Sequence, residues 1–166
     1  HDAMEQRVRD IVMEATDGAR LPVIVDASSC TAGFKDMLES VGITVLDAIS
    51  FTADTLLPQL AVKNPAASVT VHPTCSAFQL GMMEDVEKVA RAAAAEVHIP
   101  TDWNCCGYAG DRGMLHPELT DAATRAEAAQ VKEIGAQYHA STNRTCELGL
   151  TRATGEDYHH ILELLE

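Results

Sequence analysis

Short apolar runs rich in β-branched residues alternate along this chain with longer stretches that carry a helical stripe, and this alternation limits the fold more tightly than any other feature. Residues 21–27 read LPVIVDA, 43–49 read ITVLDAI and 68–72 read SVTVH. Nearly continuous runs of this kind mark strands covered on both faces. Residues 3–16 place Met4, Val8, Ile11, Val12 and Ala15 at helical spacing, and Asp17-Gly18 closes the stretch. Residues 83–95 do the same with Val86, Val89, Ala90 and Ala93. The longest helix is expected over 117–135, opening on Pro117 and Glu118, which suit the positive end of a helix dipole. Shorter helices are expected over 33–41, 52–62 (with Pro58 kinking it) and 157–165, and two further strands over 96–99 and 137–141. Strands alternating with helices give an α/β layer fold: a largely parallel sheet of about five strands with helices on both faces.

A chain of 166 residues is one domain by length and buries roughly two-thirds of its unfolded surface, so it needs neither disulfides nor metal merely to fold. The 12 Lys and Arg against 25 Asp and Glu leave a net charge of −13, which speaks against a nucleic-acid partner. The apolar runs are far short of a membrane span, and the polar, amphipathic opening is not a signal-peptide pattern. Five cysteines without a C-x-x-C pair give no support to a zinc ribbon or a thioredoxin-type site, and a secreted disulfide framework does not suit this density and length. The expected compartment is reducing and cytoplasmic.

Every cysteine falls shortly after an expected strand. Cys30 follows the first, Cys75 the third, Cys105 and Cys106 the fourth, and Cys146 the fifth. Ligands of parallel sheets bind beyond the carboxyl ends of the strands, so all five thiols are expected in loops on one edge. Thiolates are soft ligands suited to iron–sulfur clusters, zinc or copper(I). Four of them, Cys75, Cys105, Cys106 and Cys146, suit a four-iron cluster or a tetrahedral zinc. Adjacent Cys105 and Cys106 reach two atoms of a cluster more easily than one small ion, which favours iron–sulfur. An inert pair or a vicinal disulfide is the alternative.

Other residues near the cysteines carry two readings each. Gly107, Gly110 and Gly113 permit positive φ and close approach of backbone N–H groups to cluster sulfurs, or simply make a tight loop. Arg112 offsets the charge of an anionic cluster, or pairs with Asp111 at the surface. His72 and His116 flank the cysteine loops as ligands, as hydrogen-bond donors or as structural residues. Asp26, Ser28 and Ser29 surround Cys30 like helpers of a nucleophile, but no histidine is nominated to complete such a site. Trp103 shields the thiols from water or packs on the sheet.

Ser29-Cys30-Thr-Ala-Gly33-Phe34 is similar to Thr145-Cys146-Glu-Leu-Gly149-Leu150. Residues 68–150 read as one complete unit and 3–34 as the tail of a preceding one, so the natural protein is expected to extend beyond residue 1.

His72-Pro-Thr-Cys75, Asn104-Cys-Cys-Gly-Tyr-Ala-Gly110 and Thr142-Asn-Arg-Thr-Cys146 together resemble the cysteine-rich CCG domain. Such domains occur in heterodisulfide reductase, in the iron–sulfur component of glycolate oxidase and in lactate-utilisation proteins. The pattern is most similar to the C-terminal region of FAD-linked, iron–sulfur D-lactate dehydrogenases, and the resemblance runs from about residue 21 to the end. It implies an electron-transfer domain holding a 4Fe-4S-type cluster, noncubane in heterodisulfide reductase, on Cys75, Cys105, Cys106 and Cys146, with Cys30 nearby and Gly107, Gly110 and Arg112 lining the cofactor. It further implies a parent oxidoreductase that oxidises a 2-hydroxy acid at FAD. The flavin and ferredoxin-like domains would lie elsewhere in that chain, the electrons would pass to a quinone or cytochrome-type acceptor, and the enzyme would be cytoplasmic or peripheral to the inner face of the membrane. This stretch alone is then not expected to be active. The heterodisulfide reductase pattern ends in Cys-x-x-Cys; here Asn143 and Gly149 stand at the two candidate positions. One of the five thiolates is missing, and Cys30 is the candidate to replace it in space. A cluster-free docking module and a zinc-binding domain are the alternatives.

Overall fold

The computed structural model describes residues 2–166. The elements run α1 (Asp2–Ala15), β1 (Val23–Val25), α2 (Ser28–Leu38), β2 (Val45–Asp47), α3 (Ala48–Phe51), β3 (Ala66–His72), α4 (Cys75–Gln79) and α5 (Met83–Ala93). They continue with β4 (Ala94–His98), α6 (Arg112–Leu115), α7 (Pro117–Ile134), β5 (Tyr138–Ser141), α8 (Arg144–Thr154) and β6 (Tyr158–His160). A π turn and a 3-10 turn extend α3 to Gln59, and a 3-10 segment, Ile161–Leu165, closes the chain.

All strand pairs are parallel, as expected of an α/β fold. The strands form two sheets, however: a pair, β1-β2, and a group of four in the order β4-β3-β5-β6. The end of β2 has a local cause. The run 43–49 is cut short at Asp47, whose carboxylate accepts the Ile49 N–H at 2.9 Å and so caps α3, while its other oxygen accepts the Thr31 hydroxyl at 2.6 Å. A helix N-cap ends the strand where apolar pattern alone would continue it.

The central strand β3 is fully buried at Val69 and Val71 and packs with Ala140 of β5 against Val86, Val89 and Ala90 of α5. A separate core of Val25, Leu38, Ile43 and Val45 lies at the two-stranded sheet. A third group gathers Cys106, Tyr108, Cys146, Leu150 and Tyr158.

Several elements depart from expectation. Residues 157–165 form a strand and a 3-10 segment, because Tyr158–His160 finds β5 as a hydrogen-bonding neighbour. Helix α2 begins at Ser28, directly after β1, and takes in Cys30. Helices α4, α6 and α8 occupy stretches with no expected element; α4 and α6 are only five and four residues long, too short to show a periodic stripe.

Candidate metal centre

The carboxyl ends of β3, β4 and β5 deliver the cysteines. Cys75 is the first residue of α4, two residues beyond the Pro73 that follows β3. Thr74 precedes it as N-cap: its hydroxyl accepts the Ala77 N–H at 3.1 Å and shares a hydrogen bond of 3.0 Å with Thr142 at the end of β5. This buried threonine pair ties two strand ends together, so the helices that carry Cys75 and Cys146 start from a common point. Cys146 is the third residue of α8. Cys105 and Cys106 lie in the segment between β4 and α6.

The adjacent pair divides between two partners. Cys106 Sγ lies 2.9 Å from Cys146 Sγ, while among the sulfurs Cys105 is influenced most by Cys75. Cys146 in turn lies in the field of Cys75, Cys105 and Cys106. The structure thus brings buried Cys106 and Cys146 into contact, with partly buried Cys75 and exposed Cys105 close enough to bear on their charge.

Their protons are unequally held. The hydrogen bond with Cys146 holds the Cys106 thiol well below its ordinary value against the opposing effect of burial, and the Tyr108 N–H adds to this. Cys146 is pushed up by the same hydrogen bond and by burial. Burial also raises Cys105, and the Gly107 N–H works against it. The pair thus favours the thiolate at Cys106, and the thiolate is the form that binds metal.

His72, the last residue of β3, is fully buried among these sulfurs. Its Nδ1 lies 2.8 and 2.9 Å from the two carboxylate oxygens of Glu127, and its Nε2 is buried with no partner. One ring nitrogen lies within 4.8 Å of the sulfurs of both Cys106 and Cys146. Leaving a buried polar atom unpaired costs about 1–3 kcal/mol, so the orphan nitrogen marks a place prepared for an occupant. Sequence reasoning named His72 but missed Glu127. A signal existed: Glu127 occupies the buried stripe of α7 with Thr120, Thr124, Ala128 and Val131, where a lone carboxylate needs a partner.

Two glycines are required by the loop. Gly107 has φ +70°, and a Cβ there would sit 3.0 Å from the Leu119 carbonyl oxygen and the Ala123 Cβ. Its close approach to α7 turns its own N–H to Cys105 and the next N–H, that of Tyr108, to Cys106. At Gly113 a Cβ would meet the Tyr108 Cα and Cγ and the Thr120 hydroxyl at 2.8 Å. Gly110 faces open space.

The remaining candidates lie outside the sulfur group. Arg112 and Asp111 are exposed, and no ion pair joins them among the described residues. His116 is exposed beside Glu118, 3.2 Å away. Trp103 packs edge-on against Phe78 of α4 with centroids 6.0 Å apart. Cys30 is exposed and lines a surface groove with Glu5, Gly33, Phe34, Asp36 and Met37, and no hydrogen bond joins it to another cysteine among the described residues. Asp26 is exposed, Ser28 is buried, and the Ser29 N–H donates to Asn143 Oδ1 at 3.2 Å. A Cβ on Gly149 would press on the Tyr108 ring and the Thr120 methyl, both at 3.2 Å. The two positions where the expected pattern lacks a thiol are thus filled by an inter-segment hydrogen bond and by aromatic packing.

Residues 69–151 match the profile of the CCG cysteine-rich domain. Among curated proteins, Lactate utilization protein A of Oceanobacillus iheyensis is 28% identical over 105 residues, covering 58% of this chain and 43% of its own length. The chain spans less than half the length of that relative.

Proposed function

The chain belongs to the CCG cysteine-rich domain family, and from that premise we propose that it is the electron-transfer domain of an FAD- and iron–sulfur-dependent 2-hydroxy-acid dehydrogenase, of the D-lactate type. Cys75, Cys105, Cys106 and Cys146 would hold a 4Fe-4S-type cluster, which when bound stores and passes one electron at a time. The observation that carries this reading is the adjacent pair: Cys106 contacts Cys146, whereas Cys105 is influenced most, among the sulfurs, by Cys75. Neighbours that diverge in this way suit two atoms of a cluster better than one ion.

The surrounding residues fit such a group. The N–H groups of Gly107 and Tyr108 donate to the sulfurs of Cys105 and Cys106, and such donors stabilise the more negative, reduced state. Tyr108, Leu150 and Tyr158 exclude water from below. Exposed Cys105 marks the side on which electrons enter or leave. The similarity to a lactate utilization protein supports the hydroxy-acid setting.

In this proposal the flavin and ferredoxin-like domains belong to other parts of the parent chain, and a quinone or cytochrome-type acceptor takes the electrons. The enzyme works in the cytoplasm or at the inner face of the membrane; no described helix is long and apolar enough to cross one. The placement of Cys30 and Cys146 as third residues of α2 and α8, each helix following a parallel strand, supports a repeat of which 3–34 is the tail and 68–150 the complete copy.

A zinc site is the second reading, favoured by the mutual proximity of His72, Cys106 and Cys146 within 4.8 Å. Anaerobic purification followed by iron and sulfide reconstitution separates the two. We expect iron and sulfide in comparable amounts, with broad visible absorbance that Cys106→Ser greatly reduces. Stoichiometric zinc without sulfide would establish the zinc site, and binding of neither would leave a cluster-free docking module.

A further inference from the structure

We propose that His72 is itself a ligand of this metal centre, binding through Nε2, and that Glu127 is the residue that positions it. The inference rests on the reading of the four cysteines as ligands and adds a nitrogen donor to them.

The hydrogen bond on one side of the ring decides what the other side can do. Both Glu127 oxygens lie within 2.9 Å of Nδ1, and an ionised carboxylate only accepts. Nδ1 therefore carries a hydrogen, and in the neutral ring Nε2 is the nitrogen that offers a lone pair. Nε2 is buried and has no hydrogen-bond partner. A metal held by the sulfurs of Cys106 and Cys146 is the occupant that satisfies the nitrogen, which lies on a ring within 4.8 Å of both. A carboxylate behind a ligating imidazole is also the usual means of fixing its tautomer and orientation.

The backbone supports the same assignment. His72 ends β3 in register with Ser141 of β5, at the edge from which the sulfur-bearing helices start. Its ring cannot retreat, because the residue is fully enclosed and Glu127 holds it from α7. The other candidates for an additional donor are engaged elsewhere. Asn143 Oδ1 accepts from Ser29, the Cβ direction at Gly149 is blocked by Tyr108 and Thr120, and Cys30 faces a surface groove.

The test is pulsed electron paramagnetic resonance on the anaerobically reconstituted, reduced protein, prepared with natural and with nitrogen-15 histidine. A nitrogen coupling of the size given by direct bonding, altered by the label and lost in His72→Gln, is the expected result. Circular dichroism of the variant checks that it folds, and the labelled wild type alone suffices if it does not. A loaded cluster that shows only the weak coupling of a hydrogen-bonded nitrogen would overturn the ligand assignment while leaving the four-cysteine cluster standing. Glu127→Gln keeps the shape and an acceptor oxygen but removes the charge. It should retain the coupling and raise the midpoint potential; an unchanged potential would overturn the positioning role. If the protein takes zinc instead, the cluster reading fails, and His72 is judged by X-ray absorption for a nitrogen scatterer at about 2.0–2.1 Å that His72→Gln removes. If it binds neither metal, both readings fail.

Discussion

Cys105 and Cys106 are neighbours in the chain yet answer to different partners, and the residues around them explain how a dipeptide is held open. Gly107 turns back with positive φ against α7, Tyr108 fills the space below, and Gly113 lets the chain pass within contact of the Tyr108 ring. The last contact is tight enough to predict from. Gly113→Ala would place a methyl group 2.8 Å from the Tyr108 Cα and Cγ, atoms of backbone and ring that have no free torsion with which to yield. We expect a loss of about 1–3 kcal/mol, as for other overpacked interiors, read as a lower urea midpoint. A stability equal to wild type would show that the loop relaxes without cost. Gly110→Ala meets no neighbour within 4 Å, so any penalty there comes from its positive φ alone. The two variants separate packing from backbone strain.

At the scale of elements, the two halves of the chain are joined by a cap. Helix α2 begins after Ala27, whose side chain can accept nothing, yet a helix N-terminus needs acceptors for its first N–H groups. Asn143, at the start of α8, supplies one from across the molecule by accepting from Ser29. The residue that departs from the expected cysteine pattern therefore has structural work in its place. Asn143→Ala should cost about 1 kcal/mol and should speed hydrogen exchange at Ser29 and its neighbours in α2 while leaving α5 unchanged. Uniform exchange in both helices would show that the cap carries no stability. Helix α7 shows the converse case: its buried stripe includes Glu127, and the carboxylate is tolerated there because His72 meets it.

For the whole molecule, the division into two sheets predicts unequal stability. The pair β1-β2 has three residues per strand, and Ile24 is exposed. In the four-stranded sheet, Val69, Val71 and Ala140 are fully buried. Amides of Val23–Val25 and Val45–Asp47 should lose protection at lower denaturant than those of Val69–His72, as expected for cooperative units of different core size. Native-state hydrogen exchange measures this directly; one shared opening free energy would show that the sheets unfold together.

The sequence by itself determined the α/β class, the parallel pairing and the arrival of thiols at strand ends, because these follow from local period and from the rule that parallel strands deliver their loops to one edge. The long helices α1, α5 and α7 were legible for the same reason, and so were the motifs that mark the family. Tertiary structure alone decided the rest. The run 43–49 stops at Asp47 because a side chain caps the next helix, and Tyr158–His160 became a strand because β5 offered an open edge. Above all, only the fold separates Cys105 from Cys106, leaves Cys30 apart, and sets Glu127 behind His72 at a sequence distance of 55 residues. Contacts of that kind carry no periodic signature, since a hydrogen bond depends on where two strands and a helix come to rest, which no local window of residues contains.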